Sequence, residues 1–170
     1  DIYNILNKGE RVTLECKKAE NSVPKSFWET YSAFANTNGG TVLLGVSEDM
    51  MEKDKAKRYE VTGVNDADKI CKDLWNTINS NEKVNINLLH NDDVQVANVD
   101  GKDIIVINVP RADYSTRPVY INNNLTRGSF KRNHEGDYHC TEQELRMMVR
   151  DANEAGNDRM FLEDYTMDDI

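Results

Sequence analysis

Four acids, Glu10, Glu15, Glu48 and Asp49, are the residues whose type would support metal-assisted chemistry in this chain. Carboxylates sharing one site raise one another's pKa or bind a divalent cation that neutralises them. A Mg²⁺ or Mn²⁺ ion held there would polarise a phosphodiester. The same acids could equally be solvated and paired with Arg11, Lys17 or Lys18. Spacing alone leaves both readings open.

A second group is basic. Between 111 and 132 stand Arg111, Arg117, Arg127, Lys131 and Arg132 against Asp113 alone, a local charge of +4. Tyr114, Tyr120 and Phe130 lie among them, which gives the charge and stacking surfaces that suit phosphates and unpaired bases. Alternating strand positions would equally bury these rings.

The turn Asn36-Thr37-Asn38-Gly39-Gly40 could bring backbone N–H groups close to a phosphate, or it could simply stop a helix and enter a strand. No GxxxxGK[ST], GxGxxG or GxSxG occurs, so Walker-type, dinucleotide and hydrolase-elbow chemistry are not indicated. His134, His139 and Cys140 lack the partner pair of a four-ligand zinc site. Cys16, Cys71 and Cys140 are odd in number and widely spaced, and read as reduced, packed thiols.

These groups need a scaffold. Val12, Leu14 and Cys16 alternate with Thr13, Glu15 and Lys17 as in a strand with one buried face. Phe27, Tyr31, Phe34 and Ala35 mark a helix over about 24–36, with Gly39 suited to its C-terminus. TVLLGV at 41–46 is apolar on both faces and reads as a central strand ending near Glu48. Strand, helix, strand predicts a crossover with parallel neighbours, whose shared edge would hold Glu15 and Glu48.

After a charged excursion, YEVTGV reads as a strand, and Asn65 can cap a helix striped by Ile70, Leu74 and Ile78. VNINLL, VQVANV and DIIVINV predict an antiparallel meander, the last two joined through Asp100-Gly101. PVYI and LTRGSFK continue the β pattern. Thr141-Glu142-Gln143-Glu144 is a capping box opening a final helix that closes at about Gly156. The fold class is α+β, a single domain with a mixed sheet, a strand-helix-strand crossover, a meander and a C-terminal helix.

The 170 residues suit one domain, here 1–155, followed by an acidic linker, 156–170, leading to a further C-terminal domain. A net charge of −9 argues against indiscriminate coating of nucleic acid. Seven acids and one arginine lie in 151–170, however, leaving −3 for the rest. The absence of a long apolar run or a signal-like amino end predicts a cytoplasmic protein with no membrane contact.

GERVTLECKK, PKSFWETYSAFANTNGGTVLLGVSED, YEVTGV, RPVYI with TRGSFKR, and TEQEL together resemble the Schlafen-type Alba-like domain over about residues 8–150. In prokaryotes such domains stand at the amino end of transcriptional regulators and are described as DNA-binding. Eukaryotic Schlafen proteins use a duplicated copy to bind and cleave transfer and ribosomal RNA with three carboxylates. Their positions correspond here to Glu10, Glu15 and Glu48. The third is Asp in the nuclease members, so Glu48, with Asp49 beside it, departs from the pattern. The eukaryotic zinc cluster is missing, and with one copy any clamp around RNA would require a homodimer.

The resemblance implies a nucleic-acid-binding amino-terminal domain of a transcriptional regulator, for DNA or RNA. Phosphate contacts are expected from Lys17, Lys18, Arg117, Arg127, Lys131 and Arg132, with no cofactor. Asn36, Asn38, Gly39 and Gly40 are expected to shape the turn. One alternative is an endoribonuclease holding Mg²⁺ or Mn²⁺ on Glu10, Glu15 and Glu48. Another is a protein-interaction or dimerisation module.

Overall fold

The alternation of Leu14 and Cys16 with Glu15 and Lys17 produces strand β1, Leu14–Lys17, in a computed structural model that describes residue 6, residues 13–134 and residues 136–156. Glu10 and the acidic segment 157–170 lie outside the described residues. Helix α1, Ser26–Asn36, follows, then strand β2, Gly40–Leu44, which pairs parallel to β1 with Glu15 opposite Val42. The predicted crossover is therefore present. Strands β5, Val94–Val99, and β6, Lys102–Val109, form the predicted hairpin, and β6 runs antiparallel to β2. The main sheet has the order β1-β2-β6-β5.

Its two faces carry different cores. Val42, Leu44, Ile105 and Ile107 pack with α1 and with α3, Ala67–Asn79. Leu14, Cys16, Leu43 and Ile104 pack on the other side with Leu6 and Val46. Glu15 and Lys17 thus project from the face that α1 covers.

Four expectations are corrected. The run 41–46 is not one strand, because Gly45 adopts φ +99° and turns the chain. That dihedral favours glycine. Beyond it, β3, Val46–Glu48, leaves the main sheet and pairs with β4, Tyr59–Val61, just after the one-turn helix α2, Lys55–Arg58. Glu48 is therefore in a second sheet.

VNINLL contributes no strand, only a bridge from Val84 to Ile121. Side chains take the place of a ladder there: Leu88 N donates to Tyr31 Oη, and Tyr120 N donates to Asn85 Oδ1. LTRGSFK begins as a helical turn, α4, Leu125–Gly128, because Asn124 Oδ1 accepts from Arg127 N and caps it. Strand β7, Phe130–Asn133, follows and pairs with β8, Gly136–His139. Asp66 rather than Asn65 caps α3, accepting from Lys69 N. The capping box forms as read, opening α5, Glu142–Glu154.

Helix α1 is buried almost all round, so its polar residues must find partners inside. Asn36 Nδ2 donates to the carbonyls of Val119 and Phe130, each at 2.9 Å, while its Oδ1 accepts from Val119 N at 2.8 Å. Ser32 Oγ donates to Val119 O and accepts from Phe130 N. Thr37 Oγ1 accepts from Arg132 N. The turn is thus a clamp between α1 and β7 as well as a helix stop. Gly39 has φ +73°, and a Cβ there would lie 2.8 Å from Val109 O. Gly40 starts β2 opposite Val109, and Asn38 is exposed.

Replacing Asn36 with Ala should lower stability by about 3 kcal/mol, because it strands a buried N–H and a buried carbonyl. Urea unfolding followed by circular dichroism checks this; a loss below about 1 kcal/mol would show that the clamp is not needed.

Candidate functional site

Pairing of β7 with β8 sets Phe130 opposite His139 and Arg132 opposite Asp137, so these four share one face of the hairpin. That face meets α1. Arg132 has a side chain only 2% exposed. Its Nη1 donates to Glu15 Oε1 and to Asp137 Oδ1, each at 2.8 Å, and its Nη2 donates to Leu14 O at 3.1 Å. The guanidinium lies 5.0 Å from the centre of the Phe34 ring. Thr30 Oγ1 donates to the other oxygen of Asp137 at 2.6 Å.

Burial works to lower the Arg132 pKa, but the hydrogen bonds to Asp137 and Glu15 outweigh it and hold the value above the ordinary one. Arg132 is therefore a fixed internal cation, removed from any phosphate at the surface. Arg117 is buried as well. Its Nε donates to Ala112 O, and its guanidinium lies 4.5 Å from the ring centre of the exposed Tyr114. Burial and then the neighbouring Arg111 lower its pKa. Both arginines hold the fold together, a task that the +4 local charge did not disclose.

The remaining expected cations lie at the surface in separate places. Lys17 Nζ donates to Ser26 Oγ at 3.0 Å, beside the first turn of α1. Lys18 pairs with Glu20 at 3.1 Å in solvent. Arg127 is exposed. Lys131 lies on the opposite face of the hairpin beside Tyr138 and pairs with Glu144 at 2.9 Å.

Arg127 borders a cleft of about 270 Å³ whose walls include Glu29, Asn122, Asn124, Phe130 and His139. His139 is exposed and lies against the buried Phe130, with ring centres 4.4 Å apart and planes 35° apart. Glu29 and Ser26 belong to the same turn of α1, so Lys17 and the cleft border one end of that helix. His139 and Asn122 were not picked out as binding residues. Their relation to Arg127 depends on the hairpin and the Asn122-Asn123 turn, which no spacing rule encodes.

Of the three carboxylates implied for a metal, Glu10 is outside the described residues, Glu15 accepts from Arg132, and Glu48 sits opposite Tyr59 in the second sheet. Among the described residues no three His, Cys, Asp or Glu side chains converge to hold a metal ion. A guanidinium already on Glu15 opposes a second cation there. With Glu10 outside the described residues, Glu15 and Glu48 are the two members of the set that the structure places, and they lie in separate sheets. Cys16 and Cys140 are buried, Cys71 is half-buried, and all three are free thiols. Burial, then Glu144 nearby, pushes the Cys140 thiol up to about 12. Among the described residues no helix is long and apolar enough to cross a membrane.

The fold is that of a known class. The Schlafen AlbA_2 family matches residues 10–141, and the chain belongs to it. A solved relative is the N-terminal domain of an ATP-dependent DNA helicase RecG-related protein, so described, from Nitrosomonas europaea. It is 30% identical, with a TM-score of 0.55 over 81% of this chain and 92% of that one. A protein from Corynebacterium diphtheriae shares the fold at 17% identity and a TM-score of 0.53, over 88% of this chain; this chain spans 31% of that one. No curated protein matches.

Two outcomes follow from the hairpin contacts. Replacing Arg132 with Ala should cost about 3 kcal/mol, since it leaves Glu15 and Asp137 facing each other; a denaturant midpoint equal to wild type would refute this. Burial alone would raise the Glu144 pKa, but its bonds from Thr141 and Lys131 hold it below the usual carboxylate value. A depressed folded pKa contributes stability that is complete above the unfolded value and lost as pH falls through the folded one. Glu144→Gln should therefore flatten the fall in thermal midpoint below about pH 4.3. An unchanged acid limb would contradict the assignment.

Proposed function

We propose that this chain is a nucleic-acid-binding domain that contacts phosphates through Arg127 and Lys17, with Lys18 and Lys131 in supporting positions. The observation that carries the reading is the cleft at Arg127, where an exposed cation stands beside an exposed aromatic platform, His139 on Phe130. Cations position a phosphate backbone, and rings supply stacking surfaces that are indifferent to sequence. Family membership and likeness to the amino-terminal domain of a helicase-related protein support the same class of partner. A place at the amino end of a cytoplasmic transcriptional regulator accords with this reading.

Each phosphate neutralised releases counterions, so affinity falls with salt in proportion to the number of contacts. Anisotropy titrations of labelled transfer RNA and of duplex DNA over a range of salt should show steep slopes. Arg127→Ala should weaken binding severalfold and reduce the slope by about 0.7 to 0.9. Titrating Arg127→Ala to the wild-type affinity and slope would overturn this assignment, and failure of the wild type to bind either nucleic acid at low salt would overturn the proposal. Denaturing gels of the same RNA with Mn²⁺ or EDTA test metal-dependent cleavage, which requires Glu15 to exchange Arg132 for a metal.

A further inference from the structure

Resting on the nucleic-acid reading, we infer that the cleft between α1 and β8 takes a single unpaired nucleotide, its base laid against the imidazole of His139 and its phosphate on Arg127. The domain then prefers single strands and loops to duplexes, which it holds by their phosphates alone.

Three features of the cleft point this way. The first is the platform. His139 is exposed but not loose, because its ring rests on Phe130, which is 5% exposed and fixed in the junction with α1. A ring held in place loses little freedom when a base stacks on it, and such stacking is available only to a base that has left its pair.

The second is the arrangement of polar groups. Asn122 and Asn123 both adopt left-handed backbone, with φ of +59° and +54°, which Asn tolerates better than most residues. This tight turn sets Asn122 and Asn124 on the wall of the cleft with Arg127. The amide oxygens are already engaged: Asn122 Oδ1 accepts from Lys83 Nζ at 3.1 Å, and Asn124 Oδ1 accepts from Arg127 N at 2.9 Å. Their amide N–H groups are thus the part of each side chain suited to acceptors on a base edge. The contact with Asn122 also holds a second cation, Lys83, against one wall residue of the cleft. Glu29, on the α1 side, repels phosphate and so favours a backbone running past Arg127 and Lys83, while its carboxylate can accept from an exocyclic amine.

The third is size. A cavity of about 270 Å³ lies just below the range of pockets that enclose a drug-sized molecule, about 300 to 1,000 Å³. It suits one base with its sugar. A duplex presents only groove edges and phosphates, and its stacked interior cannot reach the His139 ring.

The test uses the whole chain and a short single-stranded oligonucleotide carrying one fluorescent purine, set against a blunt duplex of the same sequence. Wild type should bind the single strand more tightly and change the purine's fluorescence through stacking. His139→Ala should weaken single-strand binding on the order of tenfold and abolish the fluorescence change, with duplex affinity altered less than about twofold. His139→Tyr, which keeps a ring in place, should retain both. If wild type binds, but His139→Ala matches it in single-strand affinity and fluorescence, the cleft inference is wrong and the broader binding role stands. If wild type binds neither strand form, both are wrong.

Discussion

A guanidinium cannot stay charged inside a protein unless its surroundings replace water, and Arg132 sets that requirement for this fold. Two carboxylates, a backbone carbonyl and an aromatic face meet it, drawn from β1, α1 and β8. Buried ion pairs contribute little net stability compared with apolar packing, but they penalise every arrangement that leaves a charge unmatched. Here the penalty fixes where the β7–β8 hairpin sits on α1. The position of the hairpin in turn brings the His139–Phe130 pair, set by the β7–β8 register, up to α1 and closes the cleft at Arg127. The exposed cleft is thus set by a charge that solvent hardly reaches.

Helix α1 applies the same logic with neutral groups. A helix buried on nearly every side would be expected to be apolar all round. This one instead carries Thr30, Ser32 and Asn36 inside, each bonded to a chain segment far away in sequence. Tyr31 behaves similarly, its hydroxyl donating to Ile86 O and accepting from Leu88 N, while burial raises its pKa. These side chains do for residues 85–88 and 118–130 what a strand ladder would otherwise do. The arrangement allows the irregular segments that line the cleft to be rigid without regular structure.

The sequence made the local rules legible. Alternation marked β1, the apolar stripe marked α1, Asp100-Gly101 marked the hairpin, and Thr141 with Glu144 marked the last helix. It misled where a local signal met a distant partner. The apolar run at 41–46 looked continuous, but Gly45 supplied a bend that only the separate pairing of β3 with β4 reveals. VNINLL had strand composition, yet the Tyr31 hydroxyl took the backbone groups of Ile86 and Leu88. The basic stretch was visible as charge. Which of its members faces solvent followed from strand register, which sends Arg132 inward and Lys131 outward on adjacent positions. Glu15 was legible as a residue of interest, but its partner stands 117 positions along the chain, beyond any spacing motif.

That separation also orders the assembly of the molecule. Contacts between distant positions cost more loop entropy to close than local ones, and folds dominated by them form slowly. The ties from Thr30 to Asp137 and from Asn36 to Phe130 span 107 and 94 positions. During synthesis β1, α1 and β2 emerge long before their partners, so the buried face of α1 waits half-covered with its polar groups in water. The cleft comes into being only when the hairpin arrives, with the last helix still to pack beside it.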